Sequence, residues 1–104
     1  MAQSHKLFDV AVLGATGAVG QRFVQLLQGH PWFRIAELVA SDRSAGQRYG
    51  DAVRWVLPGN PPADLTGHEV LPLDADLQSP IVFSALPAEI AQTVEWRLAE
   101  AGHV

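Results

Sequence analysis

Three glycines spaced three apart, Gly14, Gly17 and Gly20, stand between an almost continuously apolar run, residues 7–13, and a segment of helical periodicity. An apolar run of that length suits a strand buried on both faces. After the glycines, Val19, Phe23, Leu26 and Leu27 recur at i, i+4, i+7 and i+8, which predicts one stripe of an amphipathic helix. Gly29 should end that helix, with Pro31 beyond it as a stop signal. A strand that turns directly into a helix needs a residue free to take positive φ and a helix that can approach the strand closely, and glycine serves both needs. Gly20, one turn inside the predicted helix, is best explained by close helix-to-strand packing.

The rest of the chain extends the alternation. Residues 33–40 predict a second strand, in which Glu37 implies that one face meets polar surroundings. Residues 41–66 read as a long functional loop with a helical turn at most, closing on the Pro/Gly-rich stretch 58–62. Residues 68–73 form a weakly alternating strand, and Ile81, Val82 and Phe83 a short buried one. Pro87 suits the first turn of a last helix, striped by Ile90, Ala91, Val94, Leu98 and Ala101 and capped by Gly102. With right-handed crossovers these parts give a parallel sheet of strand order 3-2-1-4. The expected fold is therefore α/β, a Rossmann-type doubly wound parallel sheet. Residues 1–104 read as one partial domain, truncated after the fourth strand and its helix, where the pattern would next place another strand.

Composition narrows the function classes. The net charge of −4 over 104 residues offers no summed basic field for nucleic acid or an anionic membrane. Met1 to Lys6 lack an apolar signal region, and no apolar run reaches the roughly 18 residues of a membrane span, so the chain reads as cytoplasmic. The absence of cysteine rules out a disulfide framework, a thiolate zinc site and the strongest neutral-pH nucleophile. His5, His30, His68 and His103 show no ligand spacing, and no metal site is expected. Trp32, Trp55 and Trp96 read as packing residues, and Asp74 and Asp76 are too unaccompanied for an acid/base pair.

In such a sheet ligands belong at the C-terminal strand ends, here around Gly14 to Gly17 and Ser84 to Leu86. Glycines placed between strand and helix match the context of a dinucleotide fingerprint, because the helix start aims N–H groups and its positive dipole end at a pyrophosphate. The alternative is that the glycines merely make a turn. The spacing is GxxGxxG rather than GxGxxG, which points away from the commonest dinucleotide dehydrogenases toward families using this variant, short-chain reductases included. After the second strand comes Ser41-Asp42-Arg43-Ser44. Arg43 with flanking hydroxyls suits a ribose 2′-phosphate, whereas Asp42 favours the free hydroxyl of NAD. NADP is the expected cofactor, with NAD possible and a plain solvated loop as the remaining alternative.

The stretch from Val12 through Gly20 to Phe23, then His30-Pro31, Ala40 to Gly46, Tyr49, and Asp51-Ala52 through Trp55 resembles the amino-terminal domain of the aspartate-semialdehyde dehydrogenases, closest to the archaeal and fungal branch. The resemblance implies an NADPH-dependent reductive dephosphorylation of aspartyl phosphate to the semialdehyde, in the route to lysine, threonine and methionine. A cysteine thiolate would displace phosphate and hydride would reduce the thioester. It implies that Thr16, Gly17, Ala18 and Val19, following Gly14, lie along the pyrophosphate, that Ser41, Arg43 and Ser44 hold the adenosine end, and that Ser84, Ala85 and Leu86 sit near the nicotinamide ribose. The family's nucleophilic cysteine, catalytic histidine and substrate arginines have no counterpart here, so no catalytic residue is assigned. The substrate would be a small molecule, and the complete protein a homo-oligomer. Rival readings are N-acetylglutamyl-phosphate reductase, which Ser84 to Pro87 would suit and the Arg43 loop would not, malonyl-CoA reductase, and a non-catalytic NADP-sensing module. A short-chain dehydrogenase would need Tyr-x-x-x-Lys, and Tyr49 is followed four residues later by Val53.

Overall fold

The apolar run after residue 7 becomes a central strand because only a position with neighbours on both edges and cover on both faces removes Val10, Ala11, Val12 and Leu13 from water, and all four are fully buried. The computed structural model describes residues 7–104, and the expectations for Met1 to Lys6, His5 included, fall outside them. The elements are β1 (Phe8–Leu13), α1 (Ala18–Leu26), β2 (Phe33–Val39), the single turn α2 (Tyr49–Ala52), β3 (Val70–Leu71), β4 (Ile81–Ser84) and α3 (Ala88–Glu100). The strands form one sheet in the order β3-β2-β1-β4, with β1–β2, β1–β4 and β2–β3 all parallel. This is the α/β, Rossmann-type architecture that the sequence predicts. The weak third strand shrinks to two residues, joined by an isolated antiparallel bridge between Arg48 and Glu69.

Each sheet face has its own core. One collects Val10, Val12, Ile35, Leu38 and Val70 from the strands with Val24 and Leu27 of the α1 region, Tyr49 and Leu65. The other collects Ala11, Leu13 and Val39 with Leu77 and Leu98. Ile35 and Leu38 are three apart, and strict period-two alternation would put them on opposite faces. A register shift reconciles them: Val10 pairs with Ile35 and Ala11 with Glu37, leaving Ala36 as an extra residue. The shift aims the Glu37 carboxylate at the chain entering β4. There it accepts hydrogen bonds from Gln78 N (3.0 Å), Ser79 N (2.8 Å) and Ser79 Oγ (2.6 Å).

The buried face of α1 differs from the expected stripe. Val19 and Leu26 are 62% and 61% exposed, and Gly20, Gln21 and Val24 turn inward instead. The cause lies at Gly20, where a Cβ would fall 1.9 Å from the Gly14 carbonyl oxygen. Backbone contact, not apolar bulk, sets the rotation of the helix. The helix also stops at Leu26, and Gly29 closes the following turn with φ +69°.

In α3 only Leu98 is buried, while Ile90 is 37% exposed, because the helix lies over an edge strand with few neighbours. Its end matches the expected cap: Gly102 has φ +98°, Gly102 N donates to Ala99 O and His103 N to Leu98 O, the paired bonds of a glycine-closed helix terminus. Val104 N then donates to Pro80 O and Val104 O accepts from Val82 N, both at 2.8 Å, which is parallel pairing on the outer edge of β4.

Two stability outcomes follow. Gly20→Ala forces backbone against backbone and should cost about 3 kcal/mol, the upper end of the usual range for overpacking, read as a lower urea midpoint. Glu37→Ala leaves Ser79, which is 1% exposed, without its anchor and should cost about 2 kcal/mol in the same assay. An unchanged midpoint in either variant contradicts the packing described.

Candidate functional site

The turn between β1 and α1 is held by backbone bonds on both sides. Gly14 N and Ala15 N donate to Val39 O at 2.9 and 3.0 Å, and Ala85 N donates to Leu13 O at 2.9 Å. Gly14 sits at φ +74°, and a Cβ there would lie 2.8 Å from the Ala85 carbonyl oxygen, so conformation and space both demand glycine. Gly17, bonded through its N–H to Gly14 O at 3.1 Å, caps α1 in extended geometry, with no side-chain cap and no acidic residue in the first turn. A Cβ on Gly17 would meet only Gly14 O, at 3.6 Å; its other surroundings are open. Among the described residues the N–H groups of Thr16, Ala18 and Val19 have no hydrogen-bond acceptor. A helix start that is uncapped, open and rich in free donors suits an anion.

That opening is a cleft of about 250 Å³, bounded by Gly14, Thr16 and Gly17, by Ala40 and Ser41 at the end of β2, and by Ala85, Leu86 and Pro87 after β4, with Leu73 and Ile90 as apolar wall. None of these lining residues is charged. The structure therefore gathers Gly14, Thr16, Gly17, Ser41, Ala85 and Leu86 around one space, with Ala18 and Val19 at the exposed helix start beside it. Arg43 and Ser44 stand on the adjoining loop. Ser44 N and Ala45 N donate to Ser41 O, Gly46 takes φ +88°, and Gly46 N donates to Val70 O at 2.8 Å. The Arg43 guanidinium is exposed and takes part in no hydrogen bond or ion pair among the described residues. Ser84 points elsewhere: its Oγ donates to Glu95 Oε2 at 2.6 Å, and it lines a separate cavity with Val82, Leu98 and His103. Alternation along β4 is the reason, since the side chain of Ser84 shares the α3 side of the sheet with Val82.

The sequence reading assigns no role to two residues behind the turn. Tyr49 is fully buried, and its hydroxyl donates to Ala15 O at 2.8 Å. Burial pushes its phenol far above the usual range, so it stays a neutral donor. Gln21 is 1% exposed and uses both ends of its amide: Nε2 donates to Thr16 O (3.0 Å) and Arg54 O (2.9 Å), while Oε1 accepts from Val56 N (2.8 Å). The available signal was a glutamine in the same helical phase as Gly20 and Val24.

The remaining candidates are structural in this geometry. His30 Nδ1 accepts from Trp32 N and its ring stacks on Phe33, and His103 Nδ1 lies 2.6 Å from Ser79 O. Trp55 packs on the first core, whereas Trp32 and Trp96 are largely exposed. Among the described residues no group of three or more potential metal ligands comes together.

Comparison with known proteins agrees with this geometry. An aspartate-semialdehyde dehydrogenase from Archaeoglobus fulgidus is 47% identical over 98 residues, covering 93% of this chain and 29% of the relative. A malonyl CoA reductase (NADP) from Metallosphaera sedula is 42% identical over 99 residues, covering 93% of this chain and 28% of the relative. The crystal structure of aspartate semialdehyde dehydrogenase with NADP from Candida albicans matches at a TM-score of 0.89 and 39% identity, over 95% of this chain and 28% of that one. The chain thus spans less than a third of the length of these relatives. Residues 9–104 match the family described as semialdehyde dehydrogenase, NAD binding domain, and the chain belongs to that family.

Proposed function

We propose that this chain is the NADP-binding portion, residues 1–104, of an aspartate-semialdehyde dehydrogenase. The observation that carries the reading is the juxtaposition of an uncapped helix start with an unpaired arginine. Thr16, whose N–H is free, lines the cleft, the free N–H groups of Ala18 and Val19 belong to the helix start beside it, and the unpaired Arg43 stands on the loop that continues from the cleft wall at Ser41. A pyrophosphate at the first and a ribose 2′-phosphate at the second would be joined by one adenosine. Gly17 leaves open the space that a side chain would fill, and uncharged Ala85 and Leu86 carry the cleft toward β4, where a nicotinamide ribose would lie. Ser84 has no part in this reading, because its hydroxyl is engaged with Glu95 and its side chain lines the separate cavity.

The bound cofactor supplies hydride for reducing an acyl group. The chain's own residues hold and orient it, and the nucleophile is not among them, since the sequence contains no cysteine. The reaction of the complete protein would be reduction of L-aspartyl 4-phosphate to the 4-semialdehyde, in amino-acid biosynthesis, in a cytoplasmic homo-oligomer. No described helix is long and apolar enough to cross a membrane. The malonyl-CoA reductase relative supports a second reading, an acyl-CoA reductase using the same cofactor cleft.

Arg43→Ala should weaken NADPH binding by about 1–3 kcal/mol, the loss expected for a charge-assisted hydrogen bond, and leave NADH much less affected. Equal losses for both cofactors on titration would remove Arg43 from the 2′-phosphate. The chain alone should show no phosphate-dependent oxidation of aspartate semialdehyde, because no residue can form the thioester. Turnover above a buffer blank after repurification would mean that a different nucleophile operates.

A further inference from the structure

The glycine turn carries two consecutive carbonyls, Ala15 O and Thr16 O, that the helix bonds of α1 leave to other donors. Each is taken by a single buried side chain, Ala15 O by Tyr49 of α2 at 2.8 Å and Thr16 O by Gln21 of α1 itself at 3.0 Å. Within a planar trans peptide, C=O and N–H point in opposite directions. Holding Ala15 O inward therefore holds the Thr16 N–H outward, and Thr16 lines the cleft. Holding Thr16 O fixes the next peptide, whose N–H belongs to Gly17 and closes on Gly14 O.

We infer that Tyr49 and Gln21 are positioning residues that preset the glycine turn for a pyrophosphate by tethering the carbonyls of Ala15 and Thr16. Neither touches the cleft. Both have anchors outside the turn: Tyr49 N donates to His68 O at 2.8 Å, and the Gln21 side-chain amide also bridges Arg54 O and Val56 N. Tyr49 additionally begins α2 directly after the loop bearing Arg43, so one residue braces the two halves of the cofactor site against each other. Preset donors bind an anion without ordering cost at the moment of binding, which is where the affinity arises.

The inference rests on the cofactor reading above, and the test separates the two. The full chain, unmodified and as Tyr49→Phe, is titrated with NADP and with adenosine 2′-monophosphate, which carries the ribose phosphate but no pyrophosphate. Tyr49→Phe keeps the ring and removes only the donor. NADP affinity should fall about tenfold, the effect of roughly one lost hydrogen bond, while adenosine 2′-monophosphate binds as before. Exchange of the Gly17 amide in the absence of ligand should accelerate in Tyr49→Phe and in Gln21→Leu. Unaltered NADP affinity in Tyr49→Phe, equal loss of both ligands, or unchanged Gly17 exchange overturns the tether and leaves the cofactor reading standing. Failure of the unmodified chain to bind NADP overturns both.

Discussion

The approach of α1 to the end of β1 is the contact on which the rest of the structure depends. With Gly20 against the Gly14 carbonyl, the helix start lies closer to the strand than any side chain would allow. That approach turns Val24 and Leu27 toward the sheet, exposes Val19 and Leu26, and brings Gln21 beneath the turn. Gly14 does the same toward β4, because its missing Cβ lets the Ala85 carbonyl close the other side. One cluster of glycines thus determines the rotation of a helix, the junction of two parallel strands and the mouth of the cleft.

An acidic chain can hold an anion in such a place because the donors are backbone groups. The net charge of −4 is a property of the whole surface, and solvent and salt screen the contribution of its more distant charges. Inside the cleft the nearest charges are partial ones on N–H groups, reinforced by the helix dipole. Arg43 adds one full positive charge on the exposed loop beside the cleft. Under the proposed function, division of labour between oriented amides and a single arginine would let a cleft for polyanions coexist with an overall negative protein.

On the sheet, polar residues do work that apolar residues cannot. The extra residue Ala36 sends Ile35 and Leu38 to one core while Glu37 reaches the loop before β4. That loop follows a two-residue strand and a long irregular stretch, so little repetitive hydrogen bonding would otherwise fix it. Glu37 at Ser79, His103 against the Ser79 carbonyl, and Arg97 on the Leu73 carbonyl together tie α3 and β4 to the centre.

Much of this was legible along the chain. Strand order, the positions of β1, β2, β4 and α3, and the location of the cleft follow from apolar runs, glycine placement and helical periodicity, all of which are local properties. The expected cofactor residues Gly14, Thr16, Gly17, Ser41, Ala85 and Leu86 do converge, because they occupy C-terminal strand ends of one parallel sheet. The direction of Ser84, the outward faces of Val19 and Leu26, and the roles of Tyr49 and Gln21 were not legible. Each depends on a partner 11 or more residues away, or on a steric limit between backbones, as with Ser84 and Glu95, Tyr49 and Ala15, and Gly20 and Gly14. By itself the sequence determined which segments must be buried and where the chain must turn, since those follow from side-chain hydrophobicity and allowed φ. Only the tertiary structure decided how α1 is rotated and which buried polar groups brace the turn, because those are set by distances between elements that no periodicity encodes.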